Sequence, residues 1–279
     1  MSGWPTATNE NGIFRVVTYN LENYLDKTAK KGSVKSPESK LKIREFLGAI
    51  RPDVIALQEI GSTNTLHELR ASLASERLDF PHWEHVAGSD EDLHVAVLSK
   101  FPFAGRRPHV EERYTQNGQS FRVRRGFAEV DVQVNPRFSF TLFAAHLKSK
   151  NENAQVGADV LRLEEARLLR EIIDVRLKKS PDAKIVVCGD FNDTKKSRVV
   201  RTIVGAGKHR LVDALPQASG GEAWTNYFEE GGRYERIDFM LMNLAMARCW
   251  RSERSGVYES PDWKLASDHR PVIAAFCAL

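Results

Sequence analysis

Cysteine is scarce. Cys188, Cys249 and Cys277 are the only three in 279 residues; they lie far apart, and no CxxC pair or Cys/His metal spacing accompanies them. A disulfide framework and a thiolate zinc site are therefore excluded, and Cys188 and Cys277, set in apolar segments, read as small hydrophobes. No run approaches the roughly 18 apolar residues of a membrane helix. The start, MSGWPTATNENG, has no apolar core of the kind a secretory leader carries. The chain as given is thus expected to be a soluble, cytoplasmic monomer without a transmembrane segment, or a secreted one if a leader had been removed. No low-complexity tract, Pro-rich linker or internal repeat divides it, so residues 1–279 read as one domain with 1–12 as a flexible N-terminal extension. Charge of one sign is not in large excess either. With 41 Lys+Arg against 37 Asp+Glu the balance is +4, which permits an anionic substrate without demanding one.

What is present is a recurring pattern of short apolar runs that end in an amide or an acid. Ile185-Val186-Val187-Cys188 is too short for a typical helix and suits a strand buried on both faces. Gly189 ends it and delivers Asp190, Asn192 and Asp193 at its carboxyl end. Phe14 to Leu21 ends in Asn20, Leu21, Glu22, and Val54 to Leu57 ends in Gln58-Glu59. Phe127 to Val134 and Phe138 to His146 alternate like an antiparallel pair, the second leading into Leu147, Lys148 and Ser149. Arg236 to Leu241 carries Asp238, and Ser267-Asp268-His269-Arg270-Pro271 precedes a last strand, Val272 to Phe276.

Helical patterns lie between the strands. Ser36-Pro37-Glu38 reads as N-cap, first-turn proline and first-turn acid, with Leu41, Phe46, Leu47 and Ile50 as the apolar stripe. Leu66, Leu69 and Leu73 mark a short helix, Glu152 to Lys179 a long one, and Ser197 to Val204 another. Val86-Ala87 and His94 to Ser99 suggest a strand pair. Arg106 to Arg125 reads as a long connection with six arginines, either a solvated face or a phosphate-binding surface. The histidines His67, His82, His85, His94, His109 and His209 read as structural.

Strands mixed with helices, each strand bringing Asn, Glu, His or Asp to one end, indicate an α/β sandwich with a polar site along one rim. Asn20, Glu59, Asp190, Asn192 and Asp268 are hard oxygen donors, suited to Mg²⁺ or Mn²⁺ rather than zinc. Taken alone, Asp190, Asn192 and Asp193 would form an Asx turn or cap the next helix. Acids that converge repel one another unless a cation joins them.

In this order, TYNLEN, LQE, HLKS, GDFND, RIDF and SDHRP resemble the motifs of the endonuclease/exonuclease/phosphatase superfamily, which includes DNase I-like enzymes, from Arg15 to Pro271. The resemblance implies a four-layer sandwich of two mixed β-sheets flanked by helices. It implies Glu59 as principal metal carboxylate, Asn20 beside it and Asp268 completing the site, with Mg²⁺ or Mn²⁺ as cofactor. Asp190 and Asn192 would position the attacking water and a phosphate oxygen. His269 resembles the family's catalytic histidine, Asp238 its orienting carboxylate and His146 a second histidine on the scissile phosphate. Either His269 with Asp238 or Asp190 would take the water's proton. Arg124, Arg125, Lys148 and Trp224 are the expected substrate contacts. The expected activity is metal-dependent phosphodiester hydrolysis, most simply of DNA or RNA. An inositol phosphate, sphingomyelin or another small or lipid phosphoester is the alternative, because the polar loops decide the substrate and the metal site does not.

Overall fold

A strand that is apolar on both faces needs a partner layer on each side, and the alternation of its residues says which face meets which layer. The computed structural model describes residues 12–25, 34–150, 156–214 and 224–279. The N-terminal extension up to residue 11, positions 26–33, the first turn expected before residue 156 and positions 215–223 lie outside the described residues. In chain order the elements are β1 (Ile13–Tyr24), α1 (Pro37–Ile50), β2 (Val54–Ile60), α2 (Thr63–Ser75), β3 (His82–Val86), β4 (His94–Ser99), β5 (Phe103–Arg106), β6 (Arg113–Gln116), β7 (Gln119–Arg122), β8 (Phe127–Asn135), β9 (Phe138–His146), α3 (Ala158–Lys179), β10 (Ile185–Asp190), α4 (Arg198–Val204), β11 (Val212–Asp213), β12 (Asn226–Phe228), β13 (Arg233–Glu235), β14 (Asp238–Met242), α5 (Leu244–Ala247), β15 (Trp250–Val257), α6 (Trp263–Ala266) and β16 (Val272–Cys277).

Two six-stranded sheets run β15-β16-β1-β2-β4-β3 and β11-β14-β10-β9-β8-β5. Each has one parallel pair at its centre, β1 with β2 and β9 with β10, and antiparallel neighbours elsewhere. Three apolar interfaces hold the layers. Val16, Val54, Ala56, Val186, Cys188 and Met240 face the space between the sheets. The odd-numbered neighbours Val17, Ile55 and Leu57 meet α1 and α2 through Ile43, Phe46, Leu47, Leu66, Leu69 and Leu73. Ile185, Val187, Phe239 and Leu241 meet α3 and α4 through Leu169, Ile173, Val200 and Ile203. Helix, sheet, sheet and helix make the four expected layers.

Several expectations need correction. The run from Arg106 to Arg125 contains a β-hairpin: β6 and β7 pair across Asn117-Gly118, where φ is 51° and 75°. Asn-Gly at such a turn is a strong hairpin signal that the density of charge obscured. The strand expected at Val86-Ala87 is five residues long and ends at Val86. Leu41 is 45% exposed, and Ile43 occupies the buried stripe of α1 instead. β14 starts at Asp238 rather than Arg236, because Arg236 turns away to hold Asp213 with two hydrogen bonds of 2.9 and 2.6 Å.

Phe14 is the centre of the inter-sheet aromatic packing, with ring centroids of Phe101, Phe138, Phe140 and Phe276 at 6.0, 5.7, 5.4 and 5.6 Å. Phe14→Ala is expected to cost about 3–5 kcal/mol, since rings from two sheets and the β4–β5 connection cannot all collapse into one void. Urea melts of the variant check this; a loss below about 1 kcal/mol would show that the sheets repack freely.

Candidate active site

Two parallel strand pairs, one per sheet, bring four polar side chains to the same rim. β1 delivers Asn20, β2 Glu59, β9 His146 and β10 Asp190, each at or near its carboxyl end. Asp238 and His269 reach that rim differently. β14 runs antiparallel to β10, so Asp238 at its amino end stands opposite Asp190, and His269 precedes β16, which runs antiparallel to β1. The local backbone is unusual. Glu22, Asn23, Glu59 and Asn192 have positive φ of 49°, 55°, 60° and 52°, a strain of roughly 1–3 kcal/mol each for residues other than glycine. Gly189 has φ 137° and could not be another residue, since a Cβ there would lie 1.9 Å from the Ala145 carbonyl oxygen.

The buried Asp190 carboxylate is the meeting point. Its Oδ2 accepts from Asn20 Nδ2 at 3.0 Å and from Asn192 Nδ2 at 3.3 Å, and its Oδ1 accepts from Asn192 N at 2.8 Å. His146 Nε2 lies 3.5 Å and His269 Nε2 3.7 Å from the same Oδ2. His269 Nδ1 donates to Asp238 Oδ2 at 2.8 Å. Asp190, Asp238 and His269 offer atoms within 4.8 Å of one another.

Glu59 Oε1 accepts from Asn20 Nδ2 at 3.3 Å, and its Oε2 accepts from Asn23 N at 2.9 Å. Asn20 therefore braces Glu59 against Asp190 with its nitrogen, while its Oδ1 accepts from Glu22 N at 3.0 Å.

Burial and charge set the protonation of these groups. Burial pushes Asp190 up to about 7, His269 opposing and Asp238 adding to the rise. Burial also pushes Asp268 up to about 6, with Glu22 and Glu59 raising it further against His269. Burial resists a charge on His269, but Asp238, Asp268 and Asp190 outweigh it and hold the ring well above the usual histidine value. His146 is held well below that value by burial, Arg125, His269 and Arg124. Two histidines that face the same Asp190 oxygen are thus set to opposite states. Burial, Arg125 and Arg124 bring Lys148 down to about 8.

The oxygen groups fit a hard divalent cation. Among the described residues, the buried Asp268 Oδ1 has no hydrogen-bond partner, and the carboxylates of Glu22 and Glu59 resist its ionisation. Glu59, Asp268 and the side-chain oxygen of Asn20 supply acceptors of the kind Mg²⁺ or Mn²⁺ takes, the Asn20 nitrogen being committed to Glu59 and Asp190. The Asp190, Asp238, His269 trio fits a metal less well, because a histidine held charged has no lone pair to offer.

The expected substrate residues are less uniform. Arg125 is buried, its Nη1 donating to the Leu147 carbonyl at 3.3 Å and its Nε lying 3.5 Å from Asp90. Arg124 is half exposed and pairs with Asp90 at 2.8 Å. Arg106, Arg107 and Arg122 also have acidic partners, Glu84, Glu129 with Asp131, and Glu111. Five of the six arginines of that run are thus engaged by the protein's own acids. Lys148 is buried, its Nζ donating to the Ser149 carbonyl. Trp224 lies under the Arg270 guanidinium at 4.0 Å, in a cluster with Tyr234 and Trp263.

Some contributors escaped the sequence reading. Ser267 Oγ donates to the Asn20 carbonyl at 2.8 Å and accepts from His269 N at 3.0 Å, tying two motifs 247 residues apart. Thr225 Oγ1 accepts from both Ile237 N and Asp238 N at 3.1 Å, fixing the start of β14. Lys35 Nζ donates to Glu22 Oε2 at 3.2 Å and to the Ala266 carbonyl at 2.7 Å. Ser267 stands inside the SDHRP motif, but nothing around Thr225 or Lys35 signals its place.

The model of the family described as Endonuclease/Exonuclease/phosphatase matches residues 17–269. No curated protein matches the sequence. Among solved structures, truncated TDP2 from Caenorhabditis elegans is similar at 16% identity and a TM-score of 0.65, covering 95% of this chain and 98% of that one. Sphingomyelinase C from Streptomyces griseocarneus matches at 20% identity, TM-score 0.65, with 95% and 99% covered. An endonuclease/exonuclease/phosphatase family protein from Bacteroides thetaiotaomicron matches at 17% identity, TM-score 0.64, with 97% and 100% covered. At these identities the likeness speaks for the fold alone.

The raised Asp190 value makes a stability prediction. An acid whose value rises from 3.8 to about 7 on folding binds more protons folded than unfolded between those limits. Its contribution therefore falls as pH climbs through that window and stays lost above it. Asp190→Asn should raise the melting temperature of the metal-free protein at pH 8 by a few degrees, on the order of 1 kcal/mol or more, and change it far less at pH 4. Thermal melts at the two pH values check this; an Asn variant no more stable than wild type at pH 8 would contradict the assignment.

Proposed function

The chain belongs to the endonuclease/exonuclease/phosphatase family, and from that premise we propose that it is a divalent-metal-dependent phosphodiesterase acting, as a monomer, on nucleic acid. The observation that carries the reading is the convergence of Asn20, Asn192, His146 and His269 on Asp190 Oδ2, beside the oxygen groups of Glu59 and Asp268.

A phosphodiester is anionic and repels an attacking water, so the site must offset charge and take a proton. Asp190, with its affinity near 7, is matched to accept the water's proton at neutral pH. That choice follows from His269 being held charged by Asp238, which suits it to donate through Nε2 to a phosphate oxygen. His146, held neutral, can donate a hydrogen bond without adding charge. Asn192 keeps Asp190 oriented through two bonds. Mg²⁺ or Mn²⁺, when bound by Glu59 and Asp268, supplies neutralisation of the phosphate's negative charge. Asn20 orients Glu59 for that role, and Lys35 balances Glu22 beside it.

Support for a nucleic acid substrate comes from an aromatic surface joined to the site. Tyr227 N donates to the Asp268 carbonyl at 3.0 Å, and β12 bridges to His269 through Asn226. From there Trp224, Tyr227, Tyr234 and Trp263 pack together, Tyr234 being 57% exposed. Arg270, Lys264 and Arg233 lie over Trp224, Tyr227 and Phe228. Aromatic faces interleaved with cations suit stacked bases and their phosphates, each stacked base contributing about 1–3 kcal/mol.

A second reading has its own observation. Of the segment from Leu215 to Arg233, residues 224–233 are described. The part described, with Tyr234 beyond it, is a hairpin that exposes Phe228 and Tyr234, with Leu265 exposed on α6. Such a surface would also suit the interface of a phospholipid layer.

One panel in Mg²⁺ separates the readings: single-stranded DNA, duplex DNA, RNA, bis-p-nitrophenyl phosphate, p-nitrophenyl phosphate, inositol polyphosphates and sphingomyelin vesicles. EDTA should abolish turnover, and Mg²⁺ or Mn²⁺ should restore it. Tyr234→Ala should raise KM for an oligonucleotide about tenfold and leave bis-p-nitrophenyl phosphate unaffected. Intact polynucleotides alongside cleaved sphingomyelin would overturn the nuclease reading and leave the phosphoesterase.

A further inference from the structure

Glu59 reaches the rim only because β2 is irregular there. Along β2, Val54 and Ala56 face the other sheet while Ile55 and Leu57 face the helices. Gln58 continues the alternation toward the other sheet, where its Oε1 meets Thr18 Oγ1 at 3.2 Å. Residue 59 should then face the helices. Instead Ile60 takes the helix-facing place, Glu59 has no counterpart on β4, where Val95 and His94 pair with Gln58 and Ile60, the opposite edge meets three irregular residues of β1, Leu21 to Asn23, and Glu59 adopts φ 60°. Glu59 is the extra residue of a bulge that turns its carboxylate toward Asn20. Relaxation to a regular strand would move the carboxylate to the opposite face.

The peptide that follows is held from several sides. Gly61 N donates to the Tyr24 carbonyl at 2.9 Å. The Gly61 carbonyl accepts from two imidazoles, His85 Nε2 at 2.9 Å and His94 Nδ1 at 3.0 Å. Those rings meet edge to face with centroids 4.9 Å apart. The other nitrogen of His94 lies 3.2 Å from the Asp90 carbonyl, and the Asp90 carboxylate holds Arg124 and Arg125.

We infer that His85 and His94 are positioning residues, clamping the Gly61 carbonyl so that the bulge keeps the Glu59 carboxylate at the cation site. They touch neither substrate nor metal and act only through the backbone. The inference rests on the reading of Glu59 as the principal metal carboxylate.

The test titrates the full chain with Mn²⁺ alone and follows binding by electron paramagnetic resonance, with a thermal melt of each variant. His85→Ala and His94→Ala should weaken Mn²⁺ binding by about 10–100-fold, the range for a lost partner behind a metal ligand. His85→Gln and His94→Asn, which return an N–H near the lost Nε2 or Nδ1, should recover most of it. A purely structural role would give alanine and amide variants that differ in melting temperature but not in Mn²⁺ affinity, and that outcome overturns the inference. If His94→Ala fails to fold, the half-exposed His85 decides through the Ala and Gln pair. Wild-type protein that binds no Mn²⁺ would instead overturn the metal reading, and the clamp with it.

Discussion

One hydrogen bond, from Asn20 Nδ2 to Asp190 Oδ2 at 3.0 Å, spans the two sheets at the rim where the polar groups collect. Around it, Ser267 secures the Asn20 carbonyl, Asn192 secures Asp190, and Asp238 secures the histidine that faces the same carboxylate. The bond is possible because the inter-sheet core brings Val16 and Val54 against Val186 and Cys188, fixing how closely β1 and β10 approach. Apolar packing thus sets a distance that polar groups then use. A carboxylate at such a depth is costly, and Asp190 answers by holding its proton to about pH 7.

The site is unfavourable to the fold in several ways at once. Four residues other than glycine around it sit at positive φ. Asp190 and Asp268 are held above the usual carboxylate range by burial, and the buried oxygens Asp238 Oδ1 and Asp268 Oδ1 have no hydrogen-bond partner among the described residues. The three apolar interfaces offset these costs. Such a distribution, strain and buried acids at one rim with well-packed layers behind it, is what a preorganised site for an anionic, charge-developing reaction requires.

Charge and aromatic character divide the molecule's polar surface. The arginines between residues 106 and 125 are mostly taken up by Glu84, Glu111, Glu129, Asp131 and Asp90, so the run stabilises the β5 to β8 region more than it presents free cations. The surface next to His269 is instead aromatic, with Arg270 and Lys264 over two of its rings. On the reading proposed above, the β12–β13 hairpin is the surface that would meet the substrate.

How much of this was legible depended on whether the physical cause was local. Runs such as Ile185 to Cys188 showed strands buried on both faces, because burial on two sides leaves no polar alternate residue. Gly189 and the acids after it marked a strand's end, and the six motifs in order carried the family resemblance. Local signals also misled: Asn117-Gly118 was a turn hidden among charges, and Leu41 fitted the helical period yet faces water. Which groups converge was settled only in three dimensions, where Asn20 and Asp190 are 170 residues apart and meet through packing of two sheets. The same holds for Arg125, which a sequence shows as a cation and the fold buries beside Asp90. The sequence by itself determined the central strands, their polar ends and the family. Only the tertiary structure decided the distances between those ends, the opposite protonation of His146 and His269 and the bulge that turns Glu59, because each depends on fields and contacts from residues remote in the chain.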